Sequence, residues 1–287
     1  MTQLLRTRAE LADWLADTAG KRAVVLTMGA LHAGHQELMN VARQQVGVEG
    51  TVLVTIFVNP LQFGPNEDFE TYPRSLASDL EACREMGVDA VFAPEVSEVY
   101  PDDEVTTTYD VGQLAMELEG AARPGHFAGV LTVVARLLLL THADVTCFGE
   151  KDYQQLALVR RLRTLEPRLS ACEFVGVPTK RDPDGLAQSS RNRYLSDEER
   201  QQALAVPTCV ALVQAACEQG KSAAEAQALG LNFLKASAGI AVEYVEVRGS
   251  DLGPAPVVGE GRVVVAAKVG TTRLLDNGPV SLGKQSA

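Results

Sequence analysis

Through the first two thirds of the chain, short apolar runs alternate with stretches whose apolar residues recur at helical spacing. "AVVLT" (Ala23–Thr27) is rich in β-branched residues and reads as a buried strand. "TVLVTIFV" (Thr51–Val58) is the clearest strand, a continuous run typical of a parallel sheet covered on both faces. "DAVFAP", "DVTCFG" (Asp144–Gly149) and "CEFVGVPT" complete a set of five. Helical spacing fills the intervals at Gly34–Val46, Ser75–Met86, Gly129–Leu140 and Asp152–Leu165, and the N-terminal stretch "MTQLLRTRAELADWLADTAG" also reads as helical. Ser75 and Gly87 supply a start and a stop for the second of these helices. Strands alternating with helices imply right-handed crossovers and a doubly wound, Rossmann-like parallel sheet.

The pattern changes near residue 180. "KRDPDGL" is rich in turn formers and reads as a hinge. Two amphipathic stretches, Asp197–Gln219 and Ala223–Ala236, precede the strand-like runs "AVEYVEVR" and "RVVVAAKV". The expected organisation is α/β: a Rossmann-like domain over residues 1–180, then a smaller α+β lid domain over 181–287.

Composition narrows the class. A chain of 287 residues with 46 % hydrophobic content buries a real core and is neither disordered nor fibrous. The net charge of -11 and pI near 4.9 give it no general attraction for nucleic acid or an anionic membrane. Any phosphate ligand must therefore be gripped by a few basic groups and backbone amides focused in a cleft. The 5 cysteines are odd in number and include no C-x-x-C pair, which suits reduced, buried thiols in a cytoplasmic protein. The N-terminus lacks the apolar core of a signal peptide. The longest apolar run, Val130–Leu140, is interrupted by Arg136 and is too short to span a bilayer.

Candidate chemistry gathers after the strands. The chain has 4 histidines, and His32 and His35 lie three residues apart in "TMGALHAGHQEL" (Thr27–Leu38). Surface residues on a helix turn, zinc ligands and a phosphate clamp are all open readings; no Cys, Asp or Glu stands nearby at zinc-ligand spacing. The position after a parallel strand and at a helix start favours a phosphate. "FVNPLQFGPNEDFETYPR" offers Asn59, Gln62, Tyr72 and Arg74 in a long loop. "ARPGHFAGV" sets Arg123 and His126 before an apolar helix. In "FGEKDYQQL", Lys151 suits a phosphate, while Glu150 and Asp152 suit the lysine or a magnesium ion. "QSSRNRYLS" clusters hydroxyls with guanidinium groups, which suit phosphate oxygens. "GPVSLGKQ" imitates a P-loop, but Gln285 stands where a magnesium-binding hydroxyl belongs.

Taken together, "TMGALHAGH", "VTIFVNPLQF", "YPR", "GHFAGVLTVV", "FGEKDYQQL" and "SSRNRYLS" resemble the pantoate–β-alanine ligase (pantothenate synthetase) family of the H-x-G-H nucleotidyltransferases, in order and spacing. The resemblance implies an enzyme that condenses pantoate with β-alanine through a pantoyl adenylate, using ATP with Mg2+, as a cytoplasmic homodimer without nucleic-acid or membrane partners. It implies catalytic roles at the ATP phosphates for His32, His35 and Lys151. ATP would also be contacted by Thr27, Met28, Gly149, Asp152, Ser189, Ser190 and Arg191. Gln62 and Gln155 would hold pantoate, with Tyr72, Arg123 and His126 lining or bracing that end. Asp79 matches an acidic position linked to magnesium. Three positions depart from the family pattern: Leu26 for a proline, Ser78 for an acid and Gln188 for a methionine.

Overall fold

A computed structural model describes residues 2–64, 69–70, 72, 75–102, 104 and 106–283. Arg74 and Gln285 lie outside the described residues. The chain divides into two compact units, Met1–Glu150 with Gln155–Pro178, and Lys151–Gln154 with Thr179–Ala287.

The first unit is a six-stranded parallel sheet flanked by helices. Its strands are β1 (Gln3–Leu5), β2 (Arg22–Thr27), β3 (Thr51–Ile56), β4 (Ala90–Phe92), β5 (Val145–Gly149) and β6 (Glu173–Val177), in the order β1-β4-β3-β2-β5-β6. β2, β3 and β4 are buried almost throughout, as their unbroken apolar patterns require. The winding reverses between β2 and β5, the kind of switch point where open α/β sheets bind ligands. β2 pairs with β3 from Arg22 to Thr27, but with β5 only at Ala23 and Val24. Beyond Val24 and Thr146 the two central strands are no longer paired.

Several elements differ from the sequence expectation, each for a local reason. Gln3–Leu5 is an edge strand beside β4, not part of a helix. The helix starts only at Arg8, where Thr7 and Glu10 form a reciprocal capping box that leaves the preceding residues extended. The apolar helix begins at His126 and not at Gly129. Gly129 lies inside it because the Leu61 carbonyl packs there; a Cβ would sit 2.1 Å from that oxygen.

In the second unit, β7 (Ile240–Gly249), β8 (Gly259–Val269) and β9 (Thr272–Leu282) form an antiparallel sheet in that order. Helices Ala205–Glu218 and Ala223–Ala236 share a core with it through Val213, Leu234, Val245, Val265 and Val280. The stretch read as one helix from Asp197 breaks at Leu204. Pro207 explains the break: it has no N–H to give and crowds the carbonyl four residues earlier. β9 has no counterpart in the sequence reading, since Gly278-Pro279 interrupts its apolar pattern. It is an edge strand, where a missing N–H is tolerated.

Candidate active site

The loop leaving β2 is held largely by its own side chains. The Thr27 hydroxyl donates to the Thr55 carbonyl at 2.7 Å and accepts from the Gly29 amide at 3.2 Å. His32 is the N-cap of the helix Ala33–Val46, and its Nδ1 accepts from the Gly34 amide at 3.1 Å. His35 reaches back, its Nδ1 accepting from the His32 amide at 3.2 Å. The pair is a capping box built from two imidazoles, their ring centroids 4.1 Å apart. Gly34 makes room for it, because a Cβ there would lie 2.9 Å from His32 Cε1. A neutral imidazole that accepts at Nδ1 carries its proton at Nε2. Both rings therefore carry an N–H at Nε2, at a helix N-terminus that follows β2. That is chemistry for an anion.

Gln62 is joined to this loop. Its Nε2 donates to Met28 Sδ at 3.2 Å, and its Oε1 accepts from Asn59 Nδ2, also at 3.2 Å. Asn59 is 1 % exposed and is fixed in turn by the Gly129 carbonyl and by the Tyr100 hydroxyl, which donates to Asn59 Oδ1 at 2.9 Å. Burial raises the Tyr100 hydroxyl far above its ordinary pKa, so it stays a donor. His126 Nδ1 donates to the Gln62 carbonyl at 2.9 Å, while Arg123 Nη1 donates to His126 Nε2 at 3.0 Å. Arg123 and His126 thus brace the Gln62 backbone. Tyr72 packs edge-on against Phe63, next to Gln62 in the chain, at 5.8 Å between centroids. Thr27, Met28, His32, His35, Gln62, Arg123 and His126 form one connected group.

Asp79 is bonded to the same loop. It is 3 % exposed, and its carboxylate accepts from the backbone amides of Ala30 and Leu31 at 3.0 and 2.8 Å. These oxygens face loop amides. Ser78, the departure beside it, donates to the Ser75 carbonyl at 2.9 Å.

The segment after β5 is built otherwise. Gly149 ends the strand, and Gln155, which belongs to the first unit, is half-buried on the helix Tyr153–Arg160. Lys151 and Asp152, which belong to the second unit, form an ion pair at 3.6 Å. The Lys151 carbonyl accepts from Asn277 Nδ2 at 2.8 Å, and Asn277 Oδ1 accepts from Arg262 Nε at 2.8 Å. The Arg262 guanidinium lies 3.9 Å over the ring of Tyr153, whose hydroxyl donates to the Ser250 carbonyl. Sequence reasoning missed Asn277 and Arg262. The signal was a polar Asp276-Asn277 pair inside an otherwise apolar stretch of β9; Arg181 grips Asp276 with two bonds of 2.7 and 2.9 Å.

Ser189, Ser190 and Arg191 form a capped 3-10 turn, with the Ser189 hydroxyl accepting from the Arg191 amide and Arg191 exposed. Gln188 donates to Asp182 at 3.0 Å, and Arg200 binds both Asp182 and Asp184. That polar network gives the Gln188 amide a partner. The five cysteines are buried and unpaired, and burial pushes the thiols of Cys83, Cys147, Cys172 and Cys209 up to about 12. None of these four is a nucleophile at neutral pH.

Comparison with known proteins shows the family. The family model "Pantoate-beta-alanine ligase" matches residues 3–279. A pantothenate synthetase of Salinispora arenicola is 51 % identical over 287 residues, covering 100 % of both chains. One from Mycolicibacterium smegmatis is 48 % identical over 93 % of this chain and 83 % of its own. The crystal structure of pantothenate synthetase from Thermus thermophilus superposes with a TM-score of 0.87 at 42 % identity, covering 96 % of this chain and 99 % of the other. A pantoate-beta-alanine ligase from Francisella tularensis, solved with beta-gamma ATP and beta-alanine, gives 0.76 at 30 % identity over 97 % of each chain. With a family model that spans nearly its whole length, the chain belongs to the pantoate–β-alanine ligase family and is a pantothenate-forming ligase.

Proposed function

We propose that the enzyme drives this condensation with ATP through a pantoyl adenylate, on the route to pantothenate and coenzyme A. The observation that carries the proposal is the pair of imidazole N–H donors at the start of the helix Ala33–Val46, linked through Met28 to Gln62. The Francisella neighbour, described with an ATP ligand and β-alanine, supports both as substrates.

In this reading a pantoate carboxylate oxygen attacks the α-phosphorus and the bond to pyrophosphate breaks. The β-alanine amine then attacks the acyl carbon and AMP leaves. No protein nucleophile is needed; the protein contributes positioning and donors aimed at developing charge. His32, His35 and Lys151 stabilise the phosphoryl oxygens. Thr27 and Met28 contact ATP through the β2 loop, Gly149 and Asp152 take the ribose, and Ser189, Ser190 and Arg191 bind phosphate. Gln62 and Gln155 hold pantoate, with Tyr72, Arg123 and His126 supporting that end. The second unit, residues 181–287 in the sequence reading, serves as the lid. Magnesium enters with the ATP triphosphate. Among the described residues no three His, Cys, Asp or Glu side chains are grouped to hold a metal, and no step is assigned to a protein-held ion. The enzyme is further proposed to act as a cytoplasmic homodimer, whose mass sedimentation reads directly.

An omission assay tests the reaction. With all three substrates, AMP, pyrophosphate and pantothenate form in equal amounts. Without pantoate, no pyrophosphate forms. Without β-alanine, pyrophosphate release stops near one per enzyme. Steady pyrophosphate release from pantoate and ATP with no pantothenate on adding β-alanine would sink the ligase chemistry in favour of simple nucleotidyl transfer.

A further inference from the structure

The buried carboxylate of Asp79 does more than fill space under the β2 loop. It lies in the first turn of the helix Leu76–Glu85 and is 3 % exposed. Oδ2 accepts from the Ala30 amide at 3.0 Å and Oδ1 from the Leu31 amide at 2.8 Å. The Ser75 hydroxyl donates to Oδ2 at 3.2 Å. The amides it holds belong to a turn that runs through the left-handed region twice in succession, Gly29 at φ +85° and Ala30 at φ +51°. Ala30 carries a Cβ, which disfavours that conformation. Such a turn persists only where its surroundings over-determine it, and an acceptor with two oxygens on consecutive amides does so. Gly29 admits the carboxylate, since a Cβ there would stand 3.0 Å from Oδ2. His32 follows this turn directly.

We propose that Asp79 is a positioning residue: it fixes the Gly29–Leu31 turn that presents His32 and His35, and it is not a ligand of the magnesium that accompanies ATP. The surroundings of this carboxylate fit an acceptor of amides, not a cation ligand. Both oxygens are engaged by N–H and O–H donors, and the preceding Ser78 bonds the Ser75 carbonyl. The inference rests on the reading that this loop contacts ATP.

Full-length wild-type enzyme, Asp79→Asn and Asp79→Ala are compared in three measurements. Hydrogen exchange of a peptide covering Gly29–Leu31, without ATP, reads the anchor itself. Steady-state kinetics read kcat and KM for ATP. A Mg2+ titration at saturating ATP reads the metal requirement. Both variants are expected to exchange faster in this peptide and to lose at least tenfold in kcat/KM for ATP, with alanine worse than asparagine. The Mg2+ concentration for half-maximal rate should stay within twofold of wild type. A tenfold rise in that concentration, with activity restored at high Mg2+, overturns the proposal by making Asp79 a metal ligand. Unchanged exchange in both variants overturns the anchor. Faster exchange with normal ATP kinetics overturns the link to function. Asparagine keeps the shape and one acceptor, so a folding failure of alanine does not remove the test. Because the exchange arm needs no ATP, it decides the anchor even if the ligase chemistry fails its own assay.

Discussion

The loop after β2 and the segment after β5 both follow strands of the same parallel sheet, yet they are secured in opposite ways. The first draws mainly on itself. Thr27 bonds Gly29, His32 bonds Gly34 and His35 bonds His32, all within nine residues, and Asp79 adds an acceptor from farther along the chain. In the second, Lys151 pairs locally with Asp152, but its backbone is held from far along the chain. The carbonyl of Lys151 is bonded by Asn277 of β9, 126 positions later, and Asn277 is itself held by Arg262 of β8. One phosphate-binding candidate therefore carries its geometry in its own motif, while the other borrows it from a remote sheet. The three-stranded sheet of the second unit thereby acquires a task beyond burying its own core: it shapes the segment that carries Lys151.

The largest effects should come from the tips of both loops and be equal in kind. His35→Ala and Lys151→Ala are each expected to lose at least about 3 kcal/mol of transition-state stabilisation, as when one key charge-stabilising donor is removed. The loss should appear in kcat/KM for ATP. Near-normal turnover in either variant would mean that its loop is not part of the phosphate grip, and the comparison would collapse to one functional loop.

A smaller effect tests the borrowed support. Asn277→Ala removes the donor to the Lys151 carbonyl and the acceptor for Arg262, buried bonds whose loss costs about 2 kcal/mol. Kinetically, the variant should resemble a weakened Lys151→Ala, and Asn277→Ala/Lys151→Ala should be little worse than Lys151→Ala alone. Additive losses in that cycle would show that Asn277 supports the fold without acting through Lys151.

The same contrast explains what was legible in the sequence. The parallel sheet could be read because its strands are continuous apolar runs and its crossovers have few alternatives. The His32–His35 loop could be read because spacing along a strand exit and helix start fixes where both side chains go. Lys151 was visible as a candidate, but its support was not: no local pattern announces that a polar pair in an edge strand bonds a carbonyl 126 residues away. Asp79 was visible as an acid, but its bonds to two amides of a left-handed turn were not, because only the folded chain brings them together. β9 was missed because Gly278-Pro279 reads locally as a turn, whereas an edge position absorbs it.

The smallest expected effect asks whether the unit carrying the His32–His35 loop has its own acid response. Glu166 of that unit is 6 % exposed. Its carboxylate takes two bonds from the Arg168 guanidinium at 2.8 Å each and one from the Tyr109 hydroxyl at 2.9 Å. Arg168 is the main reason its pKa falls from 4.5 to about 2; burial opposes the shift, and Tyr109 adds to it. A carboxyl that is more acidic folded than unfolded stabilises the fold above its unfolded pKa. That contribution fades as pH drops from about 4.5 toward 2. The Arg168 side chain is 66 % exposed, so solvent screening reduces the pair to about 1 kcal/mol. Glu166→Gln should therefore be less stable than wild type in urea at pH 6, and the gap should be much smaller at about pH 2. A gap of the same size at both pH values would show that Glu166 acts through shape and not through charge. The acid response of the first unit would then have to originate elsewhere.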